Sequence, residues 1–140
     1  MDVDQNKQVW EKQWDWTNAG EEWSAPFGGS AWEWHWCIRP RLMSLLPCSA
    51  IVEIAPGYGR WTRFLTSHCQ SYVGVDLASN CVDACNERFK GRERTNFVLG
   101  SGCDLPGVED QSIDLVFSYD SLVHVEATEM RGYVSEIRRV

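Results

Sequence analysis

The chain has 140 residues, which bounds it to about one domain, and its 44% of hydrophobic residues is enough for a packed core. Its formal net charge is −7, and no basic cluster occurs beyond Arg138 and Arg139, which argues against a nucleic-acid substrate. No apolar run approaches the ~18 residues of a membrane span, so we expect no membrane partner.

The N-terminus, MDVDQNKQ, is polar and acidic, unlike a secretion signal, and this predicts a cytoplasmic protein. The six cysteines are therefore predicted to be free thiols, as is usual in a reducing compartment. The three histidines complete no pattern of metal ligands, so no metal site is predicted.

Residues 1–47 are rich in tryptophan and are predicted to form a helical cap. Trp10 and Trp14 have the spacing of one helical face. A second helical stripe comprises Trp32, Trp36, Arg39 and Met43. Pro40 is expected to kink or break that second helix. Two roles stay open for this segment: a cap packed on the sheet, or a lid that also excludes water and stacks on a bound ligand.

From Ala50 onward the pattern alternates between strands and helices. Short apolar runs predict strands at 51–55, 72–75, 97–99 and 113–119. Helical stripes follow the first two strands and end the chain. The helix after the strand at 72–75 is predicted to begin at an N-cap, Ser79, and to stop at Gly91. This alternation predicts an α/β domain over 48–140 with a doubly wound, Rossmann-like parallel sheet, in which ligands bind at the carboxyl ends of strands.

Two motifs fall at such carboxyl ends. The run EIAPGYGR at 53–60 follows the first strand, where glycines let a ligand approach the backbone and a helix N-terminus favours a carboxylate. Asp76 ends the second strand, 19 residues beyond Gly57, where a carboxylate can accept hydrogen bonds from both hydroxyls of a ribose. The alternatives are an ordinary strand-to-helix turn and an ordinary surface aspartate.

These motifs, with GVDL at 74–77 and SIDLVFSYDSLVHVE at 112–126, resemble the class I methyltransferases that use S-adenosylmethionine (AdoMet). With the leader GEEWS at 20–24, the match is closest to sugar O-methyltransferase-like members. The resemblance covers essentially the whole chain and implies methyl transfer from AdoMet, as cofactor, to a small molecule or sugar. It also implies the strand order 3-2-1-4, with the later strands of the seven-stranded family sheet missing from this chain.

The resemblance assigns cofactor contacts residue by residue. The methionine part of AdoMet would be surrounded by Glu53, Ala55, Gly57 and Gly59. Asp76 would hold the ribose with Leu77 beside it, the Ser101–Gly102 turn would meet the adenine, and Tyr119 would lie near the sulfonium. The chain departs from the family pattern at two positions. Ala55 stands in place of the first glycine, and Ser101 stands in place of an acid. Either Ser101 or nearby Asp104 would make the missing contact.

A third group of residues, Asp120, His124 and Glu126, follows the fourth predicted strand. An alcohol must lose its proton during methylation, and a histidine near the methyl group can accept it. Asp120 is four residues before His124, so a helical turn would let its carboxylate orient the imidazole. The alternative is that His124 only packs at the start of a helix.

Two other functions are alternatives to methyl transfer. An NAD-dependent oxidoreductase would need glycine or alanine at position 62, where Thr62 stands. A non-catalytic AdoMet-binding fragment is the other alternative, because the chain ends inside an amphipathic helix without a C-cap signal. We therefore expect residues 1–140 to be an N-terminal part that is inactive alone, unless a homodimer covers the open edge of the fourth strand.

Overall fold

A computed structural model describes residues 1–140. The N-terminal part is helical but irregular. Helix α1 (Val3–Gln8) is capped by the Asp2 carboxylate, which accepts the amide of Gln5, and it continues into a π-helical turn at Val9–Gln13. Two single 3₁₀ turns follow, at Glu21–Trp23 and Ala25–Phe27.

A second helical run joins this part to the sheet. It consists of α2 (Ser30–Glu33), a π-helical turn (Trp34–Ile38) and α3 (Arg39–Leu42). The break expected at Pro40 takes the form of a change from π-helical to α-helical geometry, and the run continues to Leu42. Pro40 lies in the first turn of α3, where a proline is tolerated best because its fixed φ suits the start of an α-helical turn.

The four strands form one parallel sheet in the order β3-β2-β1-β4. Their bounds are β1 (Cys48–Ile54), β2 (Cys69–Asp76), β3 (Thr95–Leu99) and β4 (Leu115–Phe117). This arrangement confirms the predicted α/β, Rossmann-like fold and strand order. The fourth strand is shorter than the predicted 113–119, because the amide of Ile113 donates to the carbonyl of Val140 at the end of the last helix instead.

Three helices connect or follow the strands: α4 (Thr62–Leu65), α5 (Ser79–Arg88) and α6 (Ala127–Arg139). The prediction that Ser79 caps α5 is wrong, because Ser79 is the first residue of the helix. Glu11 supplies the cap instead, since its Oε1 accepts both the amide and the hydroxyl of Ser79 at 2.9 Å. Helix α5 thus depends on a carboxylate from the N-terminal segment.

Apolar side chains pack on both faces of the sheet, because successive residues of a strand point to opposite sides. One face carries the cluster Trp34, Ile38, Ile51, Trp61, Leu65, Tyr72 and Phe117. The other carries the cluster Val52, Ile54, Val75, Leu105, Val108, Tyr133 and Val140. The first cluster includes residues of the second helical run, so this part of 1–47 shares a core with the sheet. No helix combines the length and apolar character needed to cross a membrane.

Candidate functional site

A cavity of about 430 Å³ lies at the carboxyl ends of the strands. Its walls come from the loops after all four strands and from residues 1–23 of the N-terminal segment. Most of the residues predicted for the site line it, namely Ala55, Gly57, Asp76, Leu77, Gly102, Tyr119, Asp120 and His124. Glu53, Gly59 and Ser101 do not. The strand ends meet here because parallel strands finish at the same edge of a sheet.

The loop after β1 approaches its neighbours closely. Gly57 has φ +57°, and a Cβ at this position would lie 2.9 Å from the ring of Trp16. Gly59 has φ +81°, and a Cβ there would lie 2.5 Å from Phe89, so this glycine is needed for packing against α5 rather than for the cavity wall. Ala55 also has a positive φ, 56°, which costs a non-glycine residue about 1–2 kcal/mol. The departure from the family's glycine is therefore a strained position.

Asp76 joins the first two loops of the site. Its Oδ2 accepts the amide of Gly57 at 2.9 Å, and its Oδ1 accepts the amide of Ala78 at 2.9 Å. Burial raises the pKa of this carboxyl to about 6, against the lowering effect of the backbone hydrogen bonds. Each carboxylate oxygen has a further lone pair, and the residue lines the cavity. Asp76 can therefore hold the loops and accept hydrogen bonds from a ligand together.

Glu53 lies behind the cavity wall and is 2% exposed. Its Oε2 accepts the hydroxyl of Thr62 at 2.7 Å and also the hydroxyl of Tyr72. From this side of the sheet it does not reach the cavity, contrary to the predicted contact with the methionine part of the cofactor. The alternation of a strand explains the difference, because Ile54 lines the cavity and its neighbour Glu53 points the other way.

Burial raises the pKa of Glu53 to about 7, and the hydrogen bonds from Tyr72 and Thr62 only partly offset this. The folded protein therefore binds a proton that the unfolded chain releases, so the free energy of unfolding should fall as the pH rises through roughly 4.5–7. In the unmodified protein this carboxyl should lower the free energy of unfolding by about 1–3 kcal/mol across that pH window, and we expect the Glu53→Gln variant to lack this decrease. Urea unfolding at several pH values measures it.

The matched control is Glu87→Gln, which changes an exposed carboxylate of α5. This variant should keep the pH dependence of the unmodified protein. Asp76 leaves a smaller slope of the same sign in the Glu53 variant, because its pKa is also raised. Equal slopes in all three proteins would contradict the assignment of a raised pKa to Glu53.

Tyr119 follows β4 and lines the cavity. Its hydroxyl donates to Glu33 Oε1 at 2.8 Å, and its ring meets Trp61 edge-on at 5.2 Å. Burial and the Glu33 carboxylate raise the pKa of Tyr119 to about 12, so the phenol stays neutral at physiological pH. No sequence pattern predicts the part that Glu33 plays, because this contact links residues 86 positions apart.

The predicted pair of Asp120 and His124 does not form. Asp120 has φ 61° and points its Oδ2 to Arg60 Nη2, 3.6 Å away, while the His124 ring lies 5.3 Å from that of Trp10. The segment Leu122–His124 is a 3₁₀ turn rather than an α-helical one, so residues four apart do not share a face. Glu126 instead lies 3.6 Å from the N-terminal ammonium group.

The turn after β3 meets the cavity through Gly102 alone. A Cβ on Gly102 would lie 3.4 Å from Leu77 and from Val3, so these two side chains flank the glycine. Ser101 lies outside the cavity wall, and its amide donates to Asp104 Oδ1 at 2.7 Å. Neither of the two side chains proposed to replace the family's acid lines the cavity, because the Asp104 carboxylate accepts the backbone amide of Ser101 within the turn and the Ser101 hydroxyl lies 3.5 Å from Cys103 Sγ.

The N-terminal segment, residues 1–23, covers the cavity and is tied to loops of the sheet. The Asn6 side chain donates to the carbonyl of His124 at 2.9 Å, and Trp16 stacks on Tyr58 at 4.6 Å with nearly parallel rings. The cavity is also lined by Trp10, Trp14, Trp23 and Arg60. Arg60 was not among the residues predicted for the site, although it is the last residue of the EIAPGYGR run.

Comparisons with known proteins identify the family of the chain. Residues 51–140 match the family model described as a methyltransferase domain. The chain is 27% identical over 104 residues to the phosphoethanolamine N-methyltransferase of Triticum aestivum. The aligned region covers 71% of this chain and 20% of that protein.

Solved structures share the fold. The chain is similar to phosphoethanolamine N-methyltransferase 1 of Haemonchus contortus, solved with phosphoethanolamine and S-adenosylhomocysteine, with a TM-score of 0.69 and 20% identity over 98% of this chain and 29% of that one. It is also similar to the PH0226 protein of Pyrococcus horikoshii OT3, with a TM-score of 0.60 and 23% identity over 95% of this chain and 57% of that one. The chain thus spans less than two thirds of each of these relatives.

Proposed function

Because this chain belongs to the methyltransferase domain family, we propose that it binds AdoMet and transfers a methyl group to an oxygen of a small molecule or sugar. The observation that carries the proposal is the position of Asp76. Its carboxylate faces the cavity at the end of β2 and bonds the amide of Gly57, so the glycine loop and the acid adjoin one ligand site.

The cavity fits AdoMet by volume and by chemistry. A volume of about 430 Å³ lies within the range of small-ligand sites. Asp76 offers acceptors for the ribose hydroxyls, with Leu77 beside it, and the loop from Ala55 to Gly57 offers backbone for the methionine part. Gly102 and Leu77 form the end of the cavity proposed for the adenine. When bound, AdoMet supplies an electrophilic methyl group on a positively charged sulfur.

The chain's own residues would position the acceptor, exclude water and move one proton. His124 lines the cavity and, in the proposal, its imidazole takes the proton of the acceptor hydroxyl. Tyr119, held by Glu33, bounds the space in which the two reactants meet. The tryptophans of the N-terminal segment would stack on the acceptor and keep the cavity dry, which favours a displacement at a charged sulfonium.

Residues 1–47 would act as the lid and 48–140 as the cofactor-binding domain. A cytoplasmic location is supported by the six free cysteines. A homodimer would pair the outer edge of β4, which is hydrogen-bonded to β1 on one side only.

The test compares AdoMet with NAD by tryptophan fluorescence. Five tryptophans line the cavity, namely Trp10, Trp14, Trp16, Trp23 and Trp61, so a bound ligand should change their emission. We expect a saturable change with AdoMet and none with NAD. Saturation by NAD alone would favour the oxidoreductase, and no response to AdoMet in calorimetry as well would refute the proposal. Binding of AdoMet without methyl transfer to any candidate sugar would favour the non-catalytic reading.

One second candidate has a specific observation in its favour. The Triticum aestivum relative is a phosphoethanolamine N-methyltransferase, so the acceptor atom could be an amine nitrogen rather than a hydroxyl oxygen. An alkylamine acceptor is an ammonium ion at neutral pH and has to lose a proton before its nitrogen can attack the methyl group, so His124 would keep its role. Methyl transfer to phosphoethanolamine, measured beside candidate sugars in one assay, separates the two.

A further inference from the structure

Arg60 is a buried cation at the cavity wall that the predicted cofactor contacts do not use. The residue is 5% exposed and lines the cavity. Its guanidinium lies over the rings of Trp23 and Trp61, at 5.2 Å and 4.6 Å from their centroids. These aromatic faces fix the plane of the guanidinium, so its N–H groups point in directions set by the protein rather than by solvent.

The polar partners of Arg60 are incomplete. A guanidinium has five N–H donors, and Arg60 makes a single hydrogen bond, from Nη1 to Ser24 Oγ at 3.0 Å. Asp120 Oδ2 lies 3.6 Å from Nη2, which is beyond a good hydrogen bond. Arg63, three residues later, instead donates from Nη2 to Glu21 at 2.8 Å and also to Ser30.

The present counter-ion of Arg60 is held weakly. The Asp120 side chain is 57% exposed, whereas that of Arg60 is 6% exposed. Asp120 also sits at φ 61° in the loop after β4, a conformation that aspartate tolerates better than most residues. A buried cation is stable only when it is paired and hydrogen-bonded, so an oxyanion inside the cavity would satisfy Arg60 better than Asp120 does.

We propose that Arg60 binds an oxyanion, a carboxylate or phosphate group, of a ligand in this cavity and that Asp120 occupies its place until that ligand arrives. The inference rests on the proposed function, because it assigns part of the same site. The oxyanion has two sources: the methionine carboxylate of the cofactor, or an acid group on the acceptor. The first source is reasonable because α4 is a single turn, which provides little helix dipole for a carboxylate. The second would make the acceptor an acidic sugar or a phosphorylated compound.

The experiment titrates four probes into the protein by calorimetry. S-adenosylhomocysteine carries the carboxylate, and 5′-methylthioadenosine has the same nucleoside but lacks the amino-acid chain that bears it. Glucuronate and inorganic phosphate represent acidic acceptors, and they are titrated in the presence of saturating S-adenosylhomocysteine. The variants are Arg60→Gln and Asp120→Asn, with Arg63→Gln as the control that removes a neighbouring arginine already paired outside the cavity.

We expect Arg60→Gln to weaken the binding of one class of oxyanion probe by about tenfold or more, because charged hydrogen bonds are lost. A loss for S-adenosylhomocysteine but not for methylthioadenosine identifies the cofactor carboxylate. A loss for glucuronate or phosphate alone identifies the acceptor. Asp120→Asn removes the competing charge, so it should increase the affinity for the same probe several-fold. Arg63→Gln should leave the affinity for every probe unchanged.

If Arg60→Gln fails to fold, Asp120→Asn still tests the inference. This variant should fold, because position 120 is exposed and asparagine accepts a positive φ. An Asp120 variant that gains affinity for no oxyanion overturns the inference. The same holds if a folded Arg60 variant binds all probes as the unmodified protein does. If neither nucleoside binds the unmodified protein, the proposed function fails instead, and the two failures are therefore distinguishable.

Discussion

Replacing His124 with alanine should lower the turnover of the active enzyme by about 10²–10⁴-fold while leaving AdoMet affinity nearly unchanged, the range for losing a general base. His124 lines the cavity beside the loop after β4. Its tie to the N-terminal segment uses the backbone carbonyl, which accepts the Asn6 side chain, and alanine keeps that carbonyl. The imidazole itself contacts Trp10, so its loss removes one aromatic contact and a proton acceptor.

The measurement pairs the turnover number with the dissociation constant of AdoMet, from roughly pH 6 to pH 9. His35→Ala is the matched control, because His35 is exposed, lies outside the cavity wall and packs on the ring of Trp36. That variant should retain normal turnover. If His124→Ala also turns over normally throughout this pH range, His124 is a packing residue and the base must be sought elsewhere.

Replacing Asp76 with alanine should weaken AdoMet binding by more than tenfold. Hydrogen bonds to a charged group contribute about 1.5–3 kcal/mol each, and the proposed ribose contact uses two. The variant also orphans the amides of Gly57 and Ala78, which Asp76 accepts, so the glycine loop loses its anchor. Asp76→Asn keeps one acceptor oxygen and should therefore fall between the alanine variant and the unmodified protein.

The pH dependence gives Asp76 a second signature. Because burial raises the pKa of Asp76 to about 6, acidification through that value protonates the carboxyl and removes an acceptor for the ribose. Affinity for AdoMet should therefore fall below about pH 6, and the alanine variant should lack this decrease. Asp83→Ala, in the exposed part of α5, controls for the loss of a negative charge. An unchanged dissociation constant in Asp76→Ala by calorimetry would remove Asp76 from the site.

The sequence by itself determined the sheet and the carboxyl-end edge of the site. Alternating strands and helices allow parallel pairing with crossovers, and the spacing between Gly57 and Asp76 is that of adjacent strand ends. Both signals are local, because each depends on the periodicity of a short run of residues. The resemblance to a known family added the strand order, and the structure confirms it.

Only the tertiary structure decided which side chains meet. Asp120 pairs with Arg60 rather than His124, Glu11 caps the helix that begins at Ser79, and Glu33 receives the hydroxyl of Tyr119. Each of these contacts joins segments far apart in the chain. No periodicity encodes such a contact, because it depends on loop conformation and on how the N-terminal segment lies across the strand ends.

The end of β1 shows which features the sequence pattern determines and which features depend on packing. Ile54 and Glu53 are neighbours in β1, yet one lines the cavity and the other is buried behind it. The alternation was readable in the sequence, whereas the direction of the cavity was not. That direction depends on residues 1–23, which lie across the carboxyl ends of the strands and line the cavity, and such a contact between distant segments exists only in the folded protein.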